Sequence, residues 1–178
     1  ESVIEFFTVP KLHERFSHLP FSGQAMQKLL HDYEFTSILD IGSGEGLHAN
    51  ILKNHNKHVT TIDYGDSIYF NAAEDADGTV SNVIIADFNE YNFTSKYDAI
   101  WCSHVLEHQP NPNIFLTKIY SLLSDGGILA ITVPPARNTI SGGHLTNWNA
   151  GLLLYNLVLA GFDCAEASIL KYGYNISL

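Results

Sequence analysis

Short apolar runs alternating with helical segments constrain this chain more than any other feature. Residues Ser37–Ile41, His58–Asp63, 82–87, 97–102 and 127–133 read as strands bounded by turn residues. Between them, 48–55 places Ile51 and Leu52 on one side. An Asn111-Pro112 start opens a helix with apolar residues at Ile114, Phe115, Ile119, Leu122 and Leu123, stopped by Gly126-Gly127. A short helix is predicted at 67–73, a longer one at 148–160 and a sixth strand within 163–172. Strands that are apolar throughout, rather than alternating, are covered on both faces. With right-handed crossovers they form a doubly wound α/β sandwich, a mostly parallel sheet between two helical layers. A helical stretch around 25–33 comes before the first strand. The chain therefore divides into an N-terminal helical preface or lid, 1–36, and a main domain, 37–178.

Composition narrows the partners. A chain of 178 residues with 46% hydrophobic residues builds one core of ordinary size. Nineteen acidic against nine basic residues give a formal charge of -10, which disfavours a nucleic-acid partner. No apolar run reaches the length of a membrane span, so no membrane partner is expected. Cys102 and Cys164 have neither metal-ligand nor CxxC spacing and read as free thiols of a reducing compartment, hence a cytoplasmic setting.

In an open α/β sheet, ligands bind beyond the carboxyl ends of the strands. The first strand runs into Asp40-Ile-Gly-Ser-Gly-Glu-Gly46, where alternate glycines let a ligand approach the backbone. Its third glycine comes one residue early for the dinucleotide fingerprint and Leu47 takes the expected place, which counts against a nicotinamide or flavin. The second strand ends on Asp63, a carboxylate able to accept both hydroxyls of a ribose. The third ends on Asp87-Phe88, an acid for an exocyclic amine and a ring to cover a base. Each of these alone reads equally as a capped turn; three at successive strand ends do not.

The fourth strand completes the set. Ile38-Leu-Asp-Ile-Gly-Ser-Gly-Glu-Gly46, Asp63, Ala86-Asp87-Phe88, the segment from Tyr97 to His108, and Leu123-Ser-Asp-Gly-Gly-Ile-Leu-Ala-Ile-Thr-Val-Pro-Pro135 resemble the ordered motifs of class I S-adenosylmethionine-dependent methyltransferases. The subgroup most resembled methylates small molecules. The resemblance implies S-adenosylmethionine as cofactor and a Rossmann-like sheet of strand order 3-2-1-4-5-7-6 with the last strand antiparallel. It implies that Asp40, Gly42, Ser43, Gly44 and Gly46 surround the methionine part. Asp63 and Tyr64 would lie at the ribose, Asp87 and Phe88 at the adenine, and Ser103 and His104 beside the sulfonium. Only six strands are placed against the family's seven. The last strand is therefore expected to be missing, or only begun in Asn175-Ile-Ser-Leu178.

Two segments carry candidate acceptor chemistry. His104-Val-Leu-Glu-His108 also spells H-x-x-E-H, a zinc pattern that needs a long helix and a further ligand; Pro110 and Pro112 cut it short, and no metal is expected. In the methyltransferase reading His108 faces the substrate. His144, in the loop after the fifth strand, is a candidate base for an acceptor oxygen or nitrogen, or simply a bonded loop residue next to a cap from Asn147 or Asn149. The expected function is in-line methyl transfer to O or N of a small molecule. The alternatives are a non-catalytic cofactor-binding module, a nicotinamide oxidoreductase and, remotely, a zinc hydrolase. Sequence does not address the oligomeric state.

Overall fold

A computed structural model describes residues 11–66, 82–139 and 141–178. Helix α1 (Gly23–Asp32) leads into β1 (Ser37–Ile41), α2 (Leu47–Asn54) and β2 (His58–Asp63). After β3 (Asn82–Ile85) and β4 (Tyr97–Ser103), a 3-10 turn at Leu106–His108 precedes α3 (Pro112–Leu122) and β5 (Leu123–Val133). The chain closes with α4 (Ala150–Leu159), β6 (Leu170–Tyr172) and β7 (Asn175–Ser177). The helix expected at 67–73 and the preface residues Phe6 and Phe7 lie outside the described residues.

The strands make one seven-stranded sheet in the order β3-β2-β1-β4-β5-β7-β6. β1 to β5 pair in parallel, and β7 runs antiparallel between β5 and β6. Of the two expectations for the last strand, absence is corrected and the other holds: β7 lies in the final residues, at Asn175–Ser177. It is only three residues long, and its hairpin with β6 turns through two residues, Gly173 and Tyr174. Gly173 takes a φ of +50°, the left-handed backbone that a two-residue turn with glycine in first place requires. The sixth strand likewise shrinks to three residues.

Alternation along each strand sends neighbours to opposite faces. Leu39, Ile41, Ile100, Cys102 and Ile131 pack on one face with Phe115, Leu116 and Ile119 of α3 and Leu153 and Leu157 of α4. Ile38, Val59, Ala99 and Trp101 pack on the other with Met26 and Leu29 of α1 and Ala49 and Leu52 of α2. Each such side chain contributes about 1.5–3 kcal/mol relative to exposure. α4 starts two residues later than expected because Asn149 Oδ1 accepts from the Leu152 N–H at 2.9 Å, capping the helix there. Trp148 instead bridges to Pro135, which folds the 134–149 loop back on itself. β7 pairs with β5 at Thr132 and Val133, and a cavity of about 270 Å³ borders Gly127–Ala130 farther back on β5.

Two features at the end of β1 are costly by themselves. Gly42 has a φ of +72°, and a Cβ there would meet Val105 Cγ2 at 2.4 Å. Gly46, at φ +76°, caps α2 with nothing within 4 Å of the same added atom. Asp40 is buried on β1 with Oδ2 unpartnered. Burial, and then the neighbouring Asp63 carboxylate, raise its pKa from 3.8 to about 7.

Two outcomes are expected. Gly46→Ala costs about 1–2 kcal/mol in denaturant unfolding, the left-handed penalty alone, whereas Gly42→Ala costs more and recovers part of the loss when combined with Val105→Ala. Equal costs at the two positions would refute the contact with Val105. For Asp40, the unfolded chain ionises from about pH 4 while the folded chain keeps the proton, so stability falls as pH rises toward 7 and is level above it. Asp40→Asn therefore melts above the parent at pH 8, with the gap closing toward pH 4; a gap independent of pH would remove the argument.

Candidate functional site

The parallel ladder fixes where the candidate residues lie. Because β3, β2, β1 and β4 are neighbours running in one direction, the glycine turn, Asp63, Asp87 and Ser103 emerge side by side at one end of the sheet. Gly42, Gly44 and Gly46 all have positive φ, 72°, 52° and 76°, which explains their alternate spacing. The Gly42 N–H donates to the Ile62 carbonyl at 2.8 Å, and the Gly46 N–H to the Ser43 carbonyl at 2.9 Å.

Asp63 has a role that the sequence did not disclose. Its Oδ2 accepts from the Gly44 N–H at 2.9 Å and its Oδ1 from the Gly65 N–H at 3.0 Å. It thus braces the glycine turn from the next strand. A carboxylate offers about four acceptor positions, so two backbone bonds leave capacity for a ligand.

Asp87 forms a local turn: Oδ1 accepts from the Asn89 N–H at 2.7 Å and from Asn89 Nδ2 at 3.2 Å. Tyr64 is 55% exposed; partial burial, followed by its interaction with Asp87, raises the pKa of its phenol. Phe88 differs from the expectation of a ring covering a base. It is buried in the core, edge-on to Phe115 at 5.0 Å and tilted on Phe93 at 5.7 Å.

The segment after β4 overturns the long-helix requirement of the zinc pattern. His104 has a φ of +56°, and only Leu106–His108 form a 3-10 turn, so His104 and His108 do not share a helical face. Both nevertheless approach Glu107. Its carboxylate is fully buried and accepts no hydrogen bond; His104 Nδ1 stands 3.3 Å and His108 Nε2 3.9 Å from Oε1. The Glu107 carbonyl accepts from the Leu145 and Thr146 N–H groups at 2.8 and 3.2 Å, which draws the 141–149 loop over this point. His144 arrives with that loop, its ring 4.9 Å from that of His108. His108 Nδ1 lies 2.8 Å from the Gly143 carbonyl, an acceptor, so Nδ1 carries the proton and Nε2 keeps its lone pair when neutral. The structure thus brings the two candidate bases together beside a buried acid. Ligand-type atoms of Glu107, His108 and His144 lie within 4.8 Å of one another, so the same three residues could hold a cation.

Ser103 and His104 are joined by groups that sequence reasoning did not single out. Ser103 Oγ is 2.6 Å from Ser22 Oγ, and His104 Nε2 is 2.9 Å from Asn175 Oδ1. Phe21 lies 4.7 Å from the His104 ring between centroids, and its carbonyl is bonded to His48 Nε2 at 3.2 Å. No local pattern links these positions; they come from the start of α1, from α2 and from β7. Cys102 is buried, and burial pushes its thiol well up, as expected of an inert core cysteine. Among the described residues, no helix is long and apolar enough to cross a membrane.

Comparison with known proteins agrees with the fold. The ubiquinone biosynthesis O-methyltransferase of Glaesserella parasuis is 30% identical over 103 residues, 53% of this chain and 44% of that protein. That of Rickettsia conorii is 29% identical over 121 residues, 66% and 42% respectively. The aligned chain thus spans less than half the length of either relative. The 1,6-didemethyltoxoflavin-N1-methyltransferase of Burkholderia thailandensis, solved with its substrate and S-adenosylhomocysteine, shares the fold at a TM-score of 0.69 and 17% identity, over 86% of this chain and 75% of that one. A family model described as a methyltransferase domain matches residues 9–158, and with that match the chain belongs to the methyltransferase-domain family.

Proposed function

We propose that this chain binds S-adenosylmethionine and transfers its methyl group to an oxygen or nitrogen of a small molecule. The observation that carries the reading is the glycine turn braced by Asp63 beside the carboxylates of Asp40 and Asp87, at the carboxyl ends of adjacent parallel strands. The donor set fits the cofactor: carboxylates suit ribose hydroxyls, an adenine amine and a cationic methionine end, and no pyrophosphate calls for cations. Gly46, with open space on its Cβ side, leaves backbone accessible at the start of α2. Curated relatives named as O-methyltransferases favour oxygen as the methyl acceptor.

When bound, the cofactor supplies an electrophilic methyl group on a sulfonium that leaves as a neutral thioether. The chain's own residues do the rest. Asp63 and Asp87 orient the nucleoside part, and Asp40, its pKa raised by burial and then by the Asp63 carboxylate, would gain a counter-charge from the cationic methionine end. Ser103 and His104 wall the end of β4. Most of the rate comes from holding the acceptor atom in line with the methyl carbon. His144 or His108 takes the proton of an acceptor hydroxyl; an acceptor that arrives without a proton to lose needs neither. A hydrolase reading through His104, Glu107 and His108 is not favoured, because the residues do not share a helix.

Calorimetry with S-adenosylhomocysteine tests cofactor binding. Asp63→Ala is expected to weaken it at least tenfold and Asp63→Asn by less; no binding to the parent chain, or equal binding by all three, would refute the site. Activity on a panel of phenols, alcohols and amines tests the bases: His144→Ala or His108→Ala should lower kcat/KM for a hydroxyl acceptor by roughly 10²–10⁴-fold and flatten the acid limb of its pH profile. Dialysis against EDTA should leave the rate unchanged if these histidines act as bases. Loss that returns with a divalent ion would instead assign Glu107, His108 and His144 to a cation.

A further inference from the structure

Three segments far apart in the chain meet on one side chain. Asn175, the first residue of β7, is buried. Its Oδ1 accepts from the Ser22 N–H at 3.3 Å and faces His104 Nε2 at 2.9 Å, while its Nδ2 donates to the Tyr172 carbonyl at 3.2 Å. A backbone N–H only donates and a carbonyl only accepts, so the two backbone groups fix which end of the amide is which. His104 Nε2 must therefore carry a proton, and its Nδ1 is turned toward Glu107.

The residues held there are under strain. Ser22, at φ +60°, and His104, at φ +56°, are two of the three non-glycine residues with positive φ among those described. Serine is not among the residues for which left-handed backbone is cheap, whereas histidine is several-fold enriched there, so the strain falls chiefly on Ser22. Such strain persists where the surroundings over-determine it. Here the determinant common to both is one oxygen, Asn175 Oδ1. Ser22 is fully buried, its Oγ reaching Ser103; Phe21 beside it lies on the His104 ring, with Tyr174 of the β6–β7 turn stacked on that ring at 6.2 Å.

We propose that Asn175 is a positioning residue that locks the leading turn of α1 to His104, holding a proton on His104 Nε2 at the carboxyl end of β4 while Nδ1 faces the Glu107 carboxyl, and closing the cofactor site on that side. The inference rests on the methyltransferase reading for what the site binds, but not for how His104 and Ser22 are held. Closure on this side acts by excluding water and by presenting an ordered wall to the ligand, so its loss shows first in affinity.

The experiment compares Asn175→Leu and Asn175→Asp with the parent chain. Aspartate keeps an acceptor for both Ser22 and His104 and loses the Tyr172 bond; leucine loses all three. ¹⁵N spectra of the histidine rings should show Nε2 of His104 protonated in the parent and in Asn175→Asp, and a changed distribution of protons over the two ring nitrogens in Asn175→Leu. Exchange of the Ser22 amide should accelerate at least tenfold in the leucine variant only. Affinity for S-adenosylhomocysteine should fall about tenfold in Asn175→Leu and be largely rescued in Asn175→Asp. Unchanged His104 ring protonation and Ser22 exchange in a folded Asn175→Leu, or equal losses in both variants, would overturn the proposal and reduce Asn175 to a hairpin staple. If the leucine variant does not fold, Asn175→Ser supplies the comparison. A parent chain that binds no S-adenosylhomocysteine, yet shows the ring-proton and exchange effects, would overturn the cofactor reading while leaving the lock in place.

Discussion

The parallel ladder that sets β1 between β2 and β4 is the constraint on which everything else rests. Parallel strands place all their carboxyl ends on one side, so the side chains and turns that follow them converge without further instruction. The convergence is tightened by one carboxylate, Asp63, which leaves β2 and bonds to N–H groups on both sides of it, Gly44 in the neighbouring turn and Gly65 in its own. At Gly42 the turn could not be held this closely with a side chain on it, because Val105 occupies the space a Cβ would take. Backbone shape and ligand access therefore have a single cause.

Charge is distributed to match. Acidic groups lie at the ends of β1, β2 and β3, and one of them, Asp40, is buried and unpartnered on one oxygen. A buried carboxylate held near neutrality is a poor contribution to stability and a good one to binding a cation. On the far side of β4, Glu107 is just as buried, but its neighbours are histidine nitrogens from positions 104 and 108, with His144 close by. The end of the sheet is thus divided between carboxylates at strands one to three and imidazoles after strand four.

Much of this was legible in the residues. Continuous apolar runs located four of the five parallel strands to within two residues, because a strand covered on both faces admits little else. β5 begins four residues earlier than expected, at Leu123, where the run reads as the end of a helix, and β3 is largely exposed at the edge. Glycines at alternate positions marked a turn ahead of a helix, and the structure adds that all three take positive φ. Legibility failed where an element owes its existence to its neighbours. β6 and β7 are three residues each and carry no period; they are strands because β5 offers an unpaired edge to β7. The direction of the Phe88 ring was not legible, because composition does not fix which way a side chain turns; it lies buried edge-on to Phe115.

The sequence by itself determined the sheet's parallel half, the glycine turn and the acids at the strand ends, since these follow from local backbone preference and burial pattern within a few residues of each other. Only the tertiary structure decided which of those acids brace the protein. It also decided that His104 departs from helical backbone, and that Ser22, Ser103, His104 and Asn175 form one bonded group. The reason is physical: hydrogen bonds between side chains distant along the chain exist only once the sheet has fixed the separation of their backbones, and no local spacing encodes that separation.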